Sequence, residues 1–375
     1  MSRRFVHTPE GVRDIYGREF AQKLMIENKI HQVITSYGYE DIQTPTFEFM
    51  DIFSEESGTT PSRELYKFFD KDGNTLVLRP DFTPSIARCA AKYFLEEEVP
   101  MRLCYLGNTF TNASSLQGKL KEVTQMGAEL INDDSVEADA EMLSLVIEAL
   151  KSAGLKDFQL CIGHSNFFKG LCEEAGLEKE TEELLREFIS GKNYFAAENL
   201  LTSEKINQIY VDALLKAADM FGDIDSLKEF KNTVHNEKSK TAIERLERIY
   251  DVLKLYGVEK YVSFDLGMLS QYHYYTGIIF KAYTYGIGDA IVKGGRYNHL
   301  LKHFGKNAPA IGFAIVIDDM QEALNRQKVV LNLPEEKKVI VYTPDNYSEK
   351  LAECIKLRSQ GIPVELIPEH CGTGK

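Results

Sequence analysis

Apolar residues along this chain change their period several times, and each change predicts an element. Between residues 19 and 37, Ile26, Ile30, Val33, Ile34 and Tyr37 recur at i, i+4, i+7, i+8 and i+11. That is the spacing of one buried helical face. Gly38 follows as the residue that closes such a helix in a left-handed turn. The run Gly38 to Pro45 reads as a turn into a strand that the proline stops, and residues 75–79 as a buried strand. Pro80 to Pro84 break that strand, and Ser85 to Tyr93 read as helix. Strands are predicted over 102–110 and 122–131, joined as a hairpin with a long loop. A helix over 136–153 carries its own punctuation: Ser135 as N-cap, Glu137 and Asp139 in the first turn, and Gly154 beyond the end. A further strand covers 157–163.

From about residue 165 to 255 the strand pattern stops. Charged, helix-favouring stretches take over, as in Glu178–Phe188 and Thr241–Leu255. Strands return at 278–283, 290–293 and 310–317. The chain closes with one β-α-β unit, made of 338–342, 348–359 and 363–367, with Gly361 ending its helix. The expected division is a core in two parts, 1–164 and 259–328, a helical insertion at 165–258, and a truncated C-terminal unit at 329–375. The fold class is α+β, with a mixed, largely antiparallel sheet and flanking helices. A lone β-α-β unit has an incomplete sheet and needs a partner surface.

The 375 residues suffice for two or three domains with a large core. With 43% hydrophobic and 27% charged residues the composition is that of a soluble globular protein. The start, Met1 to Pro9, shows no apolar signal-peptide run, and no stretch approaches ~20 uninterrupted apolar residues. A cytoplasmic location away from membranes is therefore expected. The six cysteines have no C-x-x-C spacing, so free thiols are expected rather than disulfides or a metal site. The net charge of −13 gives tRNA binding no support, and the basic run Lys119 and Lys121 reads as a solvated loop.

Several short segments then fall into one order. Pro9-Glu10-Gly11-Val12-Arg13-Asp14, Gly38-Tyr39 to Pro45, and Leu78-Arg79-Pro80-Asp81-Phe82-Thr83 come first. Thr124-Gln125-Met126-Gly127-Ala128-Glu129, Tyr274-Tyr275-Thr276-Gly277, Gly294-Gly295-Arg296-Tyr297 and Pro309 to Ala314 follow. Over roughly residues 8–320 this order resembles the catalytic core of the histidyl form of class II aminoacyl-tRNA synthetases. The resemblance implies a histidine-binding pocket. Asp81 and Thr83 would hold the α-amino group, Gln125 and Glu129 would contact the amino acid and its imidazole, and Tyr274 and Tyr275 would cover the side chain. It also implies dimerisation through residues 38–53.

The departures from that family fall in one class. Its second motif carries Phe-Arg-x-Glu, whereas this chain reads Phe110-Thr111-Asn112-Ala113. Its third motif ends Glu-Arg, and here stands Asp318-Asp319. The arginine that opens its histidine-specific segment is here Ser270, in Ser270-Gln271-Tyr272-His273. Each lost charge-assisted hydrogen bond is worth about 1.5–3 kcal/mol. Together they amount to roughly 5–9 kcal/mol, or about 10³ to 10⁶ in rate, as a scale only. Asp319 adds a charge that repels a polyphosphate.

A synthetase body without its phosphate clamp resembles the regulatory subunits of ATP phosphoribosyltransferase, the synthetase-like paralogues that serve the first step of histidine biosynthesis. That resemblance implies no catalytic residue of its own, no cofactor and no metal. It implies a short-form catalytic subunit as partner, a homodimer within a hetero-oligomer, and L-histidine as feedback ligand. An active histidyl-tRNA synthetase and a module that binds uncharged tRNA are the alternatives. Plainer readings stand beside the site residues. Tyr274 and Tyr275 read as strand aromatics, Asp81 as a helix cap, Gln125 and Glu129 as an outward polar pair, and Gly294 to Tyr297 as a turn rather than a phosphate loop. His273 and His299 have no ligand spacing.

Overall fold

A computed structural model describes residues 6–53, 60–112, 120–269, 274–333 and 337–369. The chain divides into two compact units, Met1–Val329 and Val330–Lys375.

In the first unit, helix α1 (Gly17–Ser36) buries Ile26, Ile30 and Ile34 along one face. Gly38 follows its cap with a φ of +82°, the left-handed value that suits glycine. Strand β1 (Glu40–Asp41) leads to a small sheet of β2 (Phe47–Phe49), β3 (Lys67–Phe69) and β4 (Thr75–Leu78). Helix α2 (Thr83–Tyr93) begins two residues before the sequence pattern places it, with Pro84 in its first turn, where a missing N–H costs nothing. The hairpin β5 (Met101–Phe110) and β6 (Glu122–Ile131) pairs from Met101↔Ile131 to Phe110↔Glu122. Helix α3 (Val136–Ala153) spans the predicted residues. Ser135 Oγ accepts from the Ala138 amide at 3.0 Å, and Gly154 closes the far end. Strand β7 (Phe158–His164) completes this part.

Six helices follow with one short strand among them. They are α4 (Ser165–Glu174), α5 (Lys179–Ser190), α6 (Tyr194–Ser203), α7 (Gln208–Ala218), then β8 (Phe221–Gly222), α8 (Ile224–Lys231) and α9 (Glu237–Tyr256). Strands β9 (Val262–Asp265), β10 (Ile278–Thr284), β11 (Val292–Arg296) and β12 (Ala310–Val316) return the chain to the sheet, and α10 (Ile317–Arg326) ends the unit. The nine strands run β1-β5-β6-β12-β11-β10-β7-β9-β8. The β1–β5 and β7–β9 pairs are parallel and the other pairs antiparallel. Because β12 lies between β6 and β11, residues on either side of the helical stretch meet in one sheet.

Segment 294–297 corrects the sequence reading. It is neither a turn nor a phosphate loop, because Gly294, Gly295 and Arg296 are paired residues of β11. Two glycines and an arginine carry little strand propensity; pairing on both edges decides the conformation instead. Arg296 is 1% exposed and donates through Nε to Asp139 Oδ1 at 2.8 Å. Arg245 Nε donates to the other oxygen, Oδ2, at 2.7 Å. Asp139 is therefore a buried ion-pair centre, not merely a first-turn acid. It also fixes α3 to the sheet face that Arg296 occupies, opposite the face of Lys293 and Gly295.

The small sheet buries an acid and exposes aromatic side chains. Its register puts Phe47, Phe49 and Phe68 on one face and Glu48 with Val77 on the other. On the acid's face Glu48 is 8% exposed and paired with Arg88 at 2.8 Å and Val77 is buried, whereas Phe69 is 72% exposed. Phe47, Phe49 and Phe68 are exposed, at 51%, 55% and 38%.

In the second unit β13 (Lys338–Tyr342) lies parallel to β14 (Val364–Pro368), with α11 (Tyr347–Ser359) as the crossover. Cys354 is its buried centre. Among the described residues no helix is long and apolar enough to cross a membrane.

Candidate functional site

Register partners share a face of a sheet, so the sheet's pairing assembles the site directly. One row across it reads Tyr105, Gly127, Ala314, Lys293, Lys281, Cys161. The next reads Leu103, Glu129, Gly312, Gly295, Ile279, Gly163. Gln125 lies beside the first row, opposite Val316. The polar pair on β6 thus faces a covered surface rather than solvent.

A cavity of about 120 Å³ opens on this face. Asp81, Thr83, Gln125, Tyr274 and Tyr275 line it, together with Tyr297 and Lys293. Five of the six side chains singled out from the sequence therefore meet on its wall. Glu129 does not line it. This residue is 1% exposed and sits behind the wall, where it accepts from Thr83 Oγ1 at 2.8 Å and from the Tyr297 hydroxyl. It lies so close to β12 that a Cβ on Gly312 would come 1.6 Å from Glu129 Oε2. Any side chain at Gly312 would collide with the carboxyl.

Burial governs the electrostatics here. It raises Glu129 to about 8, against hydrogen bonds from Tyr297 and Thr83 that favour the charged form. Near neutral pH this carboxyl is mostly protonated. Asp81 is also raised by burial, but amide donors at Thr83 and Phe82 pull it back. Its Oδ1 accepts from the Thr83 amide at 3.2 Å, so Asp81 does satisfy the start of α2 while lining the cavity. Gln125 Oε1 is buried without a hydrogen-bond partner among the described residues. A buried acceptor left open beside a cavity is costly unless a ligand or water fills it.

The aromatic side is closely packed. Tyr274 and Tyr275 have ring centroids 4.7 Å apart, and Tyr274 meets Tyr297 edge-on at 5.9 Å. Both precede β10, so they are not strand aromatics. Asp81 is braced from below. Arg79 lies 3.9 Å over the Phe82 ring and donates to the carbonyls of Asn108, Thr44 and Pro45, and Phe82 stacks on Tyr105 at 4.2 Å.

The positions expected to hold nucleotide look different. Thr111 donates its amide to the Lys121 carbonyl at 2.8 Å, closing the hairpin, and is not among the residues that line the small cavity. Asp318 is a structural pin, paired with Lys23 at 2.9 Å and accepting from the Thr124 amide at 2.7 Å. Its charge is neutralised internally, which leaves Asp319 as the repelling acid. Burial, then Asp289, Asp318 and Glu322, raise Asp319 to about 6, so it stays mostly ionised at neutral pH. Ala113, Lys119, Ser270, Gln271, Tyr272, His273 and Cys371 lie outside the described residues.

A second cavity, of about 460 Å³, adjoins the first and shares Tyr275 and Lys293 with it. Its walls come from β10 and β11 on one side and from the segments around Tyr194 and Met220 on the other. Tyr297, Lys293 and Lys281 were not among the expected site residues. A period-two reading sets each lysine on one face of its own strand, and only the β10–β11 pairing puts both on the site's face. Elsewhere His31, Asp41 and Cys104 have ligand atoms within 4.8 Å of one another. Burial and Asp41 push the Cys104 thiol up to about 12, which disfavours the thiolate that a metal would need.

Known proteins share both sequence and fold with this chain. A profile of the histidyl-tRNA synthetase family matches residues 11–320. An ATP phosphoribosyltransferase regulatory subunit from Acetivibrio thermocellus is 40% identical over 361 residues, covering 96% of this chain and 86% of that protein. One from Ruminiclostridium cellulolyticum is 39% identical over 365 residues, covering 97% and 87%. A crystal structure described as an ATP phosphoribosyltransferase regulatory subunit/histidyl-tRNA synthetase from Bacillus halodurans superposes with a TM-score of 0.90 at 32% identity, covering 99% of this chain and 94% of that one.

Proposed function

The chain belongs to the ATP phosphoribosyltransferase regulatory subunits within the histidyl-tRNA synthetase family, and on that footing we propose that its small cavity holds free L-histidine and reports occupancy to a catalytic partner. The role is regulatory and non-catalytic, and such a subunit implies a catalytic subunit that it serves. That partner is a short-form enzyme that transfers a phosphoribosyl group from its activated donor to ATP.

One observation carries the ligand assignment. The cavity offers acceptors for an ammonium group at Asp81 and the open Gln125 Oε1, next to a wall of three tyrosines. At 120 Å³ its scale matches cavities of about 150 Å³ that take up a single aromatic ring. Imidazole fits that scale. The absence of arginine at Thr111 and Asp319 agrees with a pocket that binds an amino acid without activating it. Glu129 then acts indirectly, holding Thr83 and Tyr297 in place from behind.

Feedback of this type is a coupling free energy between two sites, usually about 1–3 kcal/mol. The test is a phosphoribosyl-transfer assay with the catalytic subunit alone, with this chain, and with this chain plus histidine. The expected result is activity only in the complex, with inhibition by histidine that is weakened at least tenfold by Asp81→Asn. A catalytic subunit fully active alone, and forming no complex, would end the regulatory reading. Histidine-dependent exchange of pyrophosphate into ATP by this chain would favour an active synthetase instead.

A further inference from the structure

We propose that Lys293, on the wall shared by the two cavities, is the carboxylate anchor of the amino-acid site and makes it selective for an α-carboxylate. The inference rests on the histidine reading above and goes beyond it, since it assigns the polarity of the bound zwitterion. The acceptors of the small cavity, Asp81 and the open Gln125 Oε1, lie together near the start of α2 and on β6. They suit a cation. Lys293, on β11, is the ammonium group on the same wall. A free amino acid with its ammonium at Asp81 would meet Lys293 with its carboxylate.

The second cavity strengthens the case. Lys281 stands directly opposite Lys293 across the β10–β11 pair, and both line it. Like charges at directly opposed positions destabilise a sheet. Lys293 is partly relieved by Asp289 at 3.0 Å, whereas the Lys281 ammonium makes no hydrogen bond or ion pair among the described residues. Burial and Lys293 together hold Lys281 below the usual ammonium range, and Asp289 and Asp265 oppose them. A carboxylate at Lys293 would relieve this repulsion by adding negative charge beside the two ammonium groups. Positive charge absent from Thr111 and Asp319 is thus present on β11, across β12 from the β5–β6 hairpin. There it can hold a carboxylate.

L-histidinol tests the assignment, because it keeps the ammonium and the imidazole and replaces the carboxylate with a hydroxymethyl group. Calorimetric titration of both compounds into the full chain should show histidine binding about 10- to 100-fold tighter, the scale of one charge-assisted hydrogen bond. In Lys293→Met the two affinities should converge to within about threefold, through loss of histidine affinity alone. Unchanged histidinol binding then doubles as proof that the variant is folded. Lys293→Arg should keep the preference. Asp289→Asn should keep it too, which separates ligand contact from the Lys293–Asp289 pair. Equal affinity for both compounds in the wild-type chain, or an undiminished preference in Lys293→Met, overturns this inference and leaves the pocket reading intact. Binding of neither compound removes both.

Discussion

Glu129 is a carboxyl with no cation beside it, and its pH behaviour follows from that. The unfolded chain releases its proton near the ordinary value of 4.5, and the folded protein holds it to about 8. Between those values the folded state binds more protons, so stability falls as pH rises through that window and levels off above it. The slope contributed is at most about 1.4 kcal/mol per pH unit. Glu129→Gln should remove it. Urea midpoints for wild type and variant should be close near pH 5 and separate towards pH 8 with the variant ahead; parallel pH profiles would refute the assignment. Asp139 is the opposite case, a buried carboxylate between Arg296 and Arg245. Asp139→Asn leaves two guanidinium groups underneutralised and should cost about 3–5 kcal/mol. Adding Arg296→Met should restore part of that, and purely additive losses would argue against a coupled cluster.

Elements decide how close the site's parts come. Strand β12 reaches the Glu129 carboxyl only because Gly312 has no side chain. Gly312→Ala should destabilise by about 1–3 kcal/mol through overpacking. It should also push Glu129 off Thr83 and weaken histidine binding; a variant with wild-type thermal midpoint and affinity would contradict the geometry. Helix α3 shows what is legible locally. Its N-cap, first-turn acids and terminal glycine all lie within a few residues of one another, and Ser135→Ala should cost about 1 kcal/mol. Strand β11 shows what is not. The predicted strand stops at Lys293, nothing in Gly294, Gly295 and Arg296 themselves favours continuing it, and the decision comes from β10 and β12 on either side. The buried partner of Arg296, Asp139, is 157 residues away.

For the whole molecule, the informative surface is the small sheet with its acid inside and its aromatics outside. Phe47, Phe49 and Phe68 form an exposed apolar face within and beside the region expected to dimerise. Exposed aromatic patches on a sheet mark association surfaces. We propose that a second copy of this chain covers it. Phe49→Glu should convert a dimer to a monomer in light scattering at micromolar concentration, and an unchanged mass would exclude this face. If the catalytic partner reads the dimer rather than the single chain, the same variant should also lose activation in the transfer assay.

The sequence by itself determined the type and order of most of the long elements, the family, and which motif cations the chain lacks. All of these depend on local periodicity or on residue identity at a motif position. It also supplied five of the residues that line the small cavity. Tertiary structure alone decided that Glu129 sits behind the wall while Tyr297 and Lys293 stand on it, and that Asp318 serves Lys23 and the Thr124 amide. Each of these outcomes is set by strand pairing or packing between residues far apart in the chain. A side chain's face and partner emerge only when the sheet closes, because pairing register, not sequence neighbourhood, fixes which polar groups share a low-dielectric space.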